Sequence, residues 1–181
     1  HTGFIGEIAT ISFNGNKIIT TGGGGIILTN DDELAKRAKH ITTTAKIPHQ
    51  WEFYHDEIGY NFRLPNLNAA LGVAQMEMLP EFLKTKREIA HQYQDFGLEH
   101  GIQFVTEPPN TTANYWLNIA ILQDKQQRDR MLKETNKNKV MTRPAWIPMH
   151  KLEINQDCQT AEMSNTEWLF DRLINVPSSI F

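Results

Sequence analysis

The chain has a single cysteine, Cys158, among its 181 residues. No intrachain disulfide can form, which excludes a secreted module built on cross-links and points to a reducing cytoplasm. No apolar run is long enough to span a bilayer, and no stretch has the pattern of a signal peptide. Long runs of one charge are also missing. With 18 basic and 21 acidic residues the formal net charge is -3, so neither a nucleic acid nor an anionic membrane is expected as partner. There is no internal repeat and no low-complexity segment. An initial methionine is absent as well: His1 opens "HTGFIGEIATISF", which already has the pattern of a fold's interior, and "NVPSSIF" closes the chain without a polar tail. A piece of a longer protein is the expectation. A trimmed but complete domain is the alternative.

The residues that are present predict an α/β protein. "EIATISF" alternates and reads as a strand ending at Phe13. "GGIILTN" reads as a second strand, apolar enough for burial on both faces. Asn30 is placed to cap a helix, with Glu33 at the capping-box position and Leu34, Ala38 and Ile41 on one face. Residues 42–65 show no period and read as a long loop, a length that usually signals function or mobility. From Asn66 the helical period is strong: Leu67, Leu71, Ala74 and Met78, then Leu79, Leu83, Lys86, Ala90 and Tyr93. Pro80 either kinks this helix or opens a second one. Gly101 punctuates. "YWLNIAIL", a helix capped by Asp124 with Gln127 in support, and "KVMTR" make a β-α-β unit. A last helix is predicted from Ala161 to Ile174, with Met163, Trp168, Leu169 and Leu173 in the core. Trp116 and Trp146 are expected in the core too.

Chemistry concentrates in "SFNGNKIITTGGGGIILTN", residues 12–30. A phosphate loop of the Gly-Lys-Ser/Thr type needs its glycines before the lysine, and a dinucleotide loop needs spaced glycines leading into a helix. Here Gly22 to Gly25 follow Lys17 and lead into a strand. The other reading puts the chemistry on Lys17. An amine held on a tight turn and partly desolvated is a nucleophile toward aldehydes. Spacing alone favours an ordinary surface lysine beside a glycine-rich hairpin.

These residues, with "GYNFRLPNLNAALGVAQMEML", "TTAKIPHQWEFYHDEIGYN", "TRPAWIPMHKL" and "INVPSS", resemble the DegT/StrS-type nucleotide-sugar aminotransferases. The likeness runs over essentially the whole chain and is nearest to the LegC-like branch, which acts in legionaminic-acid and bacillosamine-like sugar synthesis. It implies the C-terminal portion of the fold-type-I, aspartate-aminotransferase-like fold: the end of a large domain plus an α/β small domain. Residues 1–70 would be the remnant of the large domain, 71–100 a connecting helix and 101–181 the small domain. The implied cofactor is pyridoxal 5'-phosphate (PLP). Lys17 matches the lysine that binds it covalently, and Ser12 the serine whose hydroxyl holds its phosphate. Asn61 matches an asparagine that reaches the phosphate of a neighbouring subunit's cofactor, so a homodimer with shared sites is implied. The glycines would then shape the turn after Lys17, although the family turn often carries a glutamate where this chain has Gly23.

The resemblance also implies the reaction: an amino group passes from a donor such as glutamate to the 4-keto group of a nucleotide-activated deoxysugar. Several substrate positions stay open. His49, Trp51, His55 and Tyr60 either line a sugar-nucleotide site or anchor the long loop. Arg143 suits a carboxylate or diphosphate, but structural pairing is the stronger reading for it, and His150 falls near the family's substrate. The Asp56–Glu57 pair is expected to be solvated. No metal site is expected. In the family, the aspartate that pairs with the pyridine nitrogen lies upstream of these motifs, so an inactive fragment is one rival. A PLP-fold sugar dehydratase relative is the other.

Overall fold

A computed structural model describes residues 2–180. It divides into two compact units, His1–Pro80 and Glu81–Phe181.

In the first unit, strands β1 (Ala9–Ser12) and β2 (Gly25–Leu28) pair antiparallel, with Ser12 opposite Gly25 and Ala9 opposite Leu28. Both strands are where the alternation and the apolar run put them, but β2 is not buried: all four of its residues are exposed, Ile27 to 44%. The physical reason is the size of the sheet. With two strands, each is an edge, and no further strand pairs with either among the described residues. Helix α1 (Asp32–Thr42) starts one residue later than expected. Its cap is Asp31, not Asn30, because Asp31 Oδ1 accepts from the N–H groups of Glu33 and Leu34 at 2.8 and 2.9 Å. Leu34, Ala38 and Ile41 are half-buried, as their spacing implies. The segment expected as a loop contains a small ladder, β3 (Lys46–Ile47) with β4 (Tyr54–His55).

Helix α2 (Asn66–His100) is one element, with Pro80 inside it. Proline has no N–H to give to the carbonyl a turn earlier, a loss that the rest of a long helix absorbs. The first half of α2 turns an unexpected stripe inward. Asn68, Gly72 and Gln75 are half-buried against the segment that follows β1, whereas Leu67, Leu71 and Met78 are exposed. Gln75 Oε1 accepts from the Thr20 N–H at 3.3 Å, Asn68 Nδ2 donates to the Thr21 carbonyl, and a Cβ on Gly72 would lie 2.9 Å from Thr21 Cγ2.

The second unit is a sheet in the order β5 (Gln103–Phe104), β6 (Asn118–Ile121), β8 (Leu173–Val176), β7 (Arg143–Pro144). All its pairings are antiparallel. Helix α3 (Lys125–Lys137) connects β6 to β7, and Asp124 caps it, accepting from the Gln127 N–H at 2.7 Å. The β-α-β connection is present, yet β8 lies between its strands. The predicted last helix is shorter: α4 (Ser164–Phe170) ends early, and Leu173 and Ile174 belong to β8. Strand pairing on both sides of β8 overrides the helical spacing there. Ala120, Leu122 and Ile174 form the buried core, against which Ile102, Phe104, Met131 and Leu132 pack. Trp146 and Trp168 are not core: they are 74% and 49% exposed, and Trp168 stacks under the Arg172 guanidinium instead. Lys86 is buried in this unit. Its ammonium donates to the carbonyls of Trp116 and Ser178, and burial pushes its pKa below the ordinary lysine range.

Candidate active site

The turn between β1 and β2 sets the positions of Ser12 and Lys17. Ser12 closes β1 with its hydroxyl exposed; Oγ accepts from the Asn14 N–H at 3.3 Å, which leaves the hydroxyl proton for another acceptor. Lys17 stands on the turn that follows, half-buried, its own N–H donating to the Asn14 carbonyl at 3.0 Å. The chain then folds back on Phe13, whose carbonyl accepts from Thr21 N–H and Thr20 Oγ1, both at 3.0 Å. The glycines close this turn. Gly24 has φ +91°, and a Cβ there would meet Leu64 Cδ1 at 2.8 Å. On Gly25 it would lie 2.6 Å from the Ile11 carbonyl oxygen, inside the β1–β2 pair. Gly24 and Gly25 are therefore demanded by the turn, and the φ of +79° at Gly22 favours glycine there, whereas a side chain on Gly23 would meet nothing within 4 Å.

Beside this hairpin lies a cleft of about 1150 Å³ within the first unit. Ser12, the Gly23–Gly25 backbone, Arg63 and Asn68 line it. Arg63 and Asn68 were not singled out in the sequence, although both sit in the "GYNFRLPNLN" motif that carries Asn61. Asn61 itself is exposed at the end of the long loop. It bridges to Thr43, and its side-chain oxygen accepts from Arg63 Nη1 at 3.0 Å.

The remaining loop candidates are held by their own loop. His55 Nδ1 is 2.7 Å from the Thr44 carbonyl, and Tyr60 stacks on Phe62 with ring centroids 5.2 Å apart. His49 accepts from the Trp51 and Glu52 N–H groups, and its ring meets that of Trp51 edge-on. Asp56 and Glu57 are not merely solvated. Asp56 accepts from His40 Nε2 at 2.7 Å, and Glu57 takes both guanidinium nitrogens of Arg37.

Arg143 and His150 belong to the second unit. Arg143 is exposed on β7, with Nη2 3.5 Å from the Met141 sulfur, and no ion pair holds it among the described residues. His150 is paired: its Nε2 lies 3.0 Å from Glu167 Oε1 on α4, and Lys151 Nζ is 3.3 Å from the same oxygen. The His150 hydrogen bond, then Lys151, hold the Glu167 carboxyl below its ordinary value of 4.5. The ionised carboxylate is thus favoured in the folded state, and its contribution to stability is complete above 4.5. It is lost as pH falls from there through the depressed folded value. Urea midpoints measured across this acidic range should decline less steeply for Glu167→Gln than for the wild type.

The sequence model of the DegT/DnrJ/EryC1/StrS aminotransferase family matches residues 1–180. The chain belongs to this family. A GDP-perosamine synthase of Escherichia coli O157:H7 is 34% identical over 178 residues, which is 98% of this chain and 48% of that protein. The aminotransferase TlmJ of Streptoalloteichus hindustanus superposes with a TM-score of 0.87 at 27% identity, over 97% of this chain and 48% of that one. The sugar aminotransferase Spr1654 of Streptococcus pneumoniae, solved in its PLP form, gives 0.86 at 20% identity, with 98% and 48% coverage. The chain spans about half the length of the relatives it matches. Its fold is the C-terminal portion of the fold-type-I PLP aminotransferase. PLP is the cofactor of the DegT/DnrJ/EryC1/StrS aminotransferases, and the residues here fit such a group. Ser12 keeps a hydroxyl proton for a phosphate oxygen, Lys17 supplies an amine on the turn that follows β1, and nothing lies within 4 Å of where a Cβ on Gly23 would sit.

Proposed function

We propose that this chain is the C-terminal part of a PLP-dependent aminotransferase acting on a 4-keto nucleotide-activated deoxysugar, with glutamate as amino donor, in surface-glycan or nonulosonic-acid-type synthesis. The observation that carries this reading is the β1–β2 hairpin, which holds Ser12 at the end of β1 on the lining of an open cleft and Lys17, outside that lining, on the turn that follows. Family membership and the 34% identical GDP-perosamine synthase support the substrate class.

Bound PLP supplies an aldehyde that condenses with amines and a ring that delocalises negative charge from the adjoining carbon. Lys17 Nζ would hold the cofactor covalently, and its amine would move the proton at the donor's Cα, as base and then as acid. Ser12 Oγ would donate to a phosphate oxygen and so orient the cofactor. Asn61 completes the phosphate site of a second copy in a homodimer, the arrangement that gives an exposed loop residue a ligand.

Borohydride reduction of the PLP-loaded full-length protein, followed by peptide mapping, tests the assignment. The label is expected on the peptide containing Lys17. Label on Lys36 or Lys46 instead would place the chemistry elsewhere. A screen of 4-keto nucleotide sugars with glutamate then reads the substrate class.

A further inference from the structure

The loop bearing His55, Tyr60 and Asn61 is bolted to the end of α1 by an arrangement that the proposed chemistry does not use. The chain leaves α1 through Thr44 and Ala45, with φ of 73° and 49°. Residues other than glycine resist this left-handed conformation and keep it only where their surroundings impose it. Here the surroundings do. Ala45 is fully buried, and its N–H donates to the His40 carbonyl at 2.8 Å. Arg63 Nη2 donates to the Thr43 carbonyl at 2.9 Å, and His55 lies on that of Thr44. Gly59 sits so close that a Cβ on it would lie 2.4 Å from Ala45 N.

The returning strand then satisfies carbonyls that the end of a helix leaves open. Tyr60 N–H donates to Ile41 O at 2.7 Å, and Phe62 N–H to Thr42 O at 2.9 Å. One feature closes the loop from outside. Arg37, on α1, grips both oxygens of Glu57, with Nη2–Oε2 at 2.6 Å, and His40 Nε2 holds Asp56 at 2.7 Å. These bonds draw both carboxyls below the ordinary carboxylate range. His40, Asp56 and Glu57 bring ligand-type atoms within 4.8 Å of one another. A cation there would have to displace the Arg37 guanidinium, so the cluster is organised as an Arg37–Glu57 ion pair beside a His40–Asp56 hydrogen bond. Exposed ion pairs add little to global stability. A bidentate arginine does fix geometry, and this one fixes the residues just before Gly59, Tyr60 and Asn61.

We propose that Arg37 and His40, acting through Glu57 and Asp56, are positioning residues that hold the Tyr60–Asn61 segment in its binding geometry. This rests on the reading of that loop as part of a PLP and sugar-nucleotide site. In the full-length protein, Arg37→Met is expected to speed hydrogen exchange at the Tyr60 and Phe62 amides. It should also weaken PLP binding, read by absorbance titration, by roughly tenfold, while kcat at saturating PLP changes by less than about threefold. Arg37→Lys should fall between, and the exchanged pair Arg37→Glu with Glu57→Arg should recover most of the affinity. Unchanged exchange, or faster exchange with unchanged PLP affinity, overturns the proposal. Asn61→Ala separates the two layers. If it weakens PLP binding and Arg37→Met does not, the positioning role fails and the Asn61 assignment stands. If Arg37→Met weakens binding and Asn61→Ala does not, the loss does not pass through Asn61, and the positioning role fails together with the Asn61 assignment.

Discussion

Lys17→Ala in the full-length protein should lower transamination by roughly 10⁴-fold or more, the upper range for removing a positioned proton-transfer group. The argument is geometric before it is chemical. The turn holding Lys17 is pinned at Phe13 by two bonds of 3.0 Å and closed by Gly24 and Gly25, where a Cβ would meet Leu64 Cδ1 and the Ile11 carbonyl oxygen. The variant should still fold, because Lys17 is half-buried on a turn rather than part of the core. PLP should remain bound, more weakly, through the phosphate contacts. The same variant reads the shared site. Mixed with Asn61→Ala chains, it should regain activity, up to about a quarter of the wild-type level under random pairing in a two-fold dimer. Mixed dimers without any recovery would count against Asn61 acting across an interface. Full activity in Lys17→Ala alone would remove the lysine from the mechanism.

Ile174→Ala is expected to destabilise the second unit by about 3 kcal/mol, within the range for deleting a buried aliphatic side chain. Ile174 is fully buried on β8, pairs with Ala120 on one side and Pro144 on the other, and touches both halves of a small core. Few neighbours can move into the space it leaves, since strands hold them on both flanks. Ile27→Ala in β2 is the matching control. Ile27 is 44% exposed, so its loss should cost less than about 1 kcal/mol. Urea unfolding of the chain, with a shifted midpoint and an unchanged slope for Ile174→Ala, checks both. Equal effects at the two positions would show that the burial pattern described for this chain is wrong.

Much of the fold was legible in local pattern. Alternation located β1, the apolar run located β2, helical spacing located α1 and α2, and Asp124 announced α3. Each of these signals is short-range: a face, a cap, a turn. The failures share a cause. The cap of α1 fell to Asp31 because its carboxylate reaches two N–H groups, a choice that Asn30 and Asp31 could both have offered on composition. Leu173 had helical spacing from Leu169, yet it and Ile174 joined a sheet, because β6 and β7 supplied partners from distant sequence. The apolar stripe of the first half of α2 was expected inside, yet the polar stripe of Asn68 and Gln75 is what binds the Thr20–Thr21 backbone. Backbone groups of a tight turn need hydrogen bonds, and leucines cannot supply them.

For the candidate site, the sequence by itself determined the chemistry on offer. "SFNGNK" and "GYNFR" contain the amine, the hydroxyl and the amide, and no tertiary contact was needed to find them. Only the tertiary structure decided what surrounds them. It assigned the glycines to a backbone turn, since their necessity comes from a Leu64 side chain and an Ile11 carbonyl far away in sequence. It brought Arg63 and Asn68 to the cleft beside Ser12. It also joined Arg37 and His40 of a helix to Glu57 and Asp56 of a loop that had no period to read. Ion pairs between remote segments leave no local signature, because each partner alone is an ordinary charged residue on a solvated face.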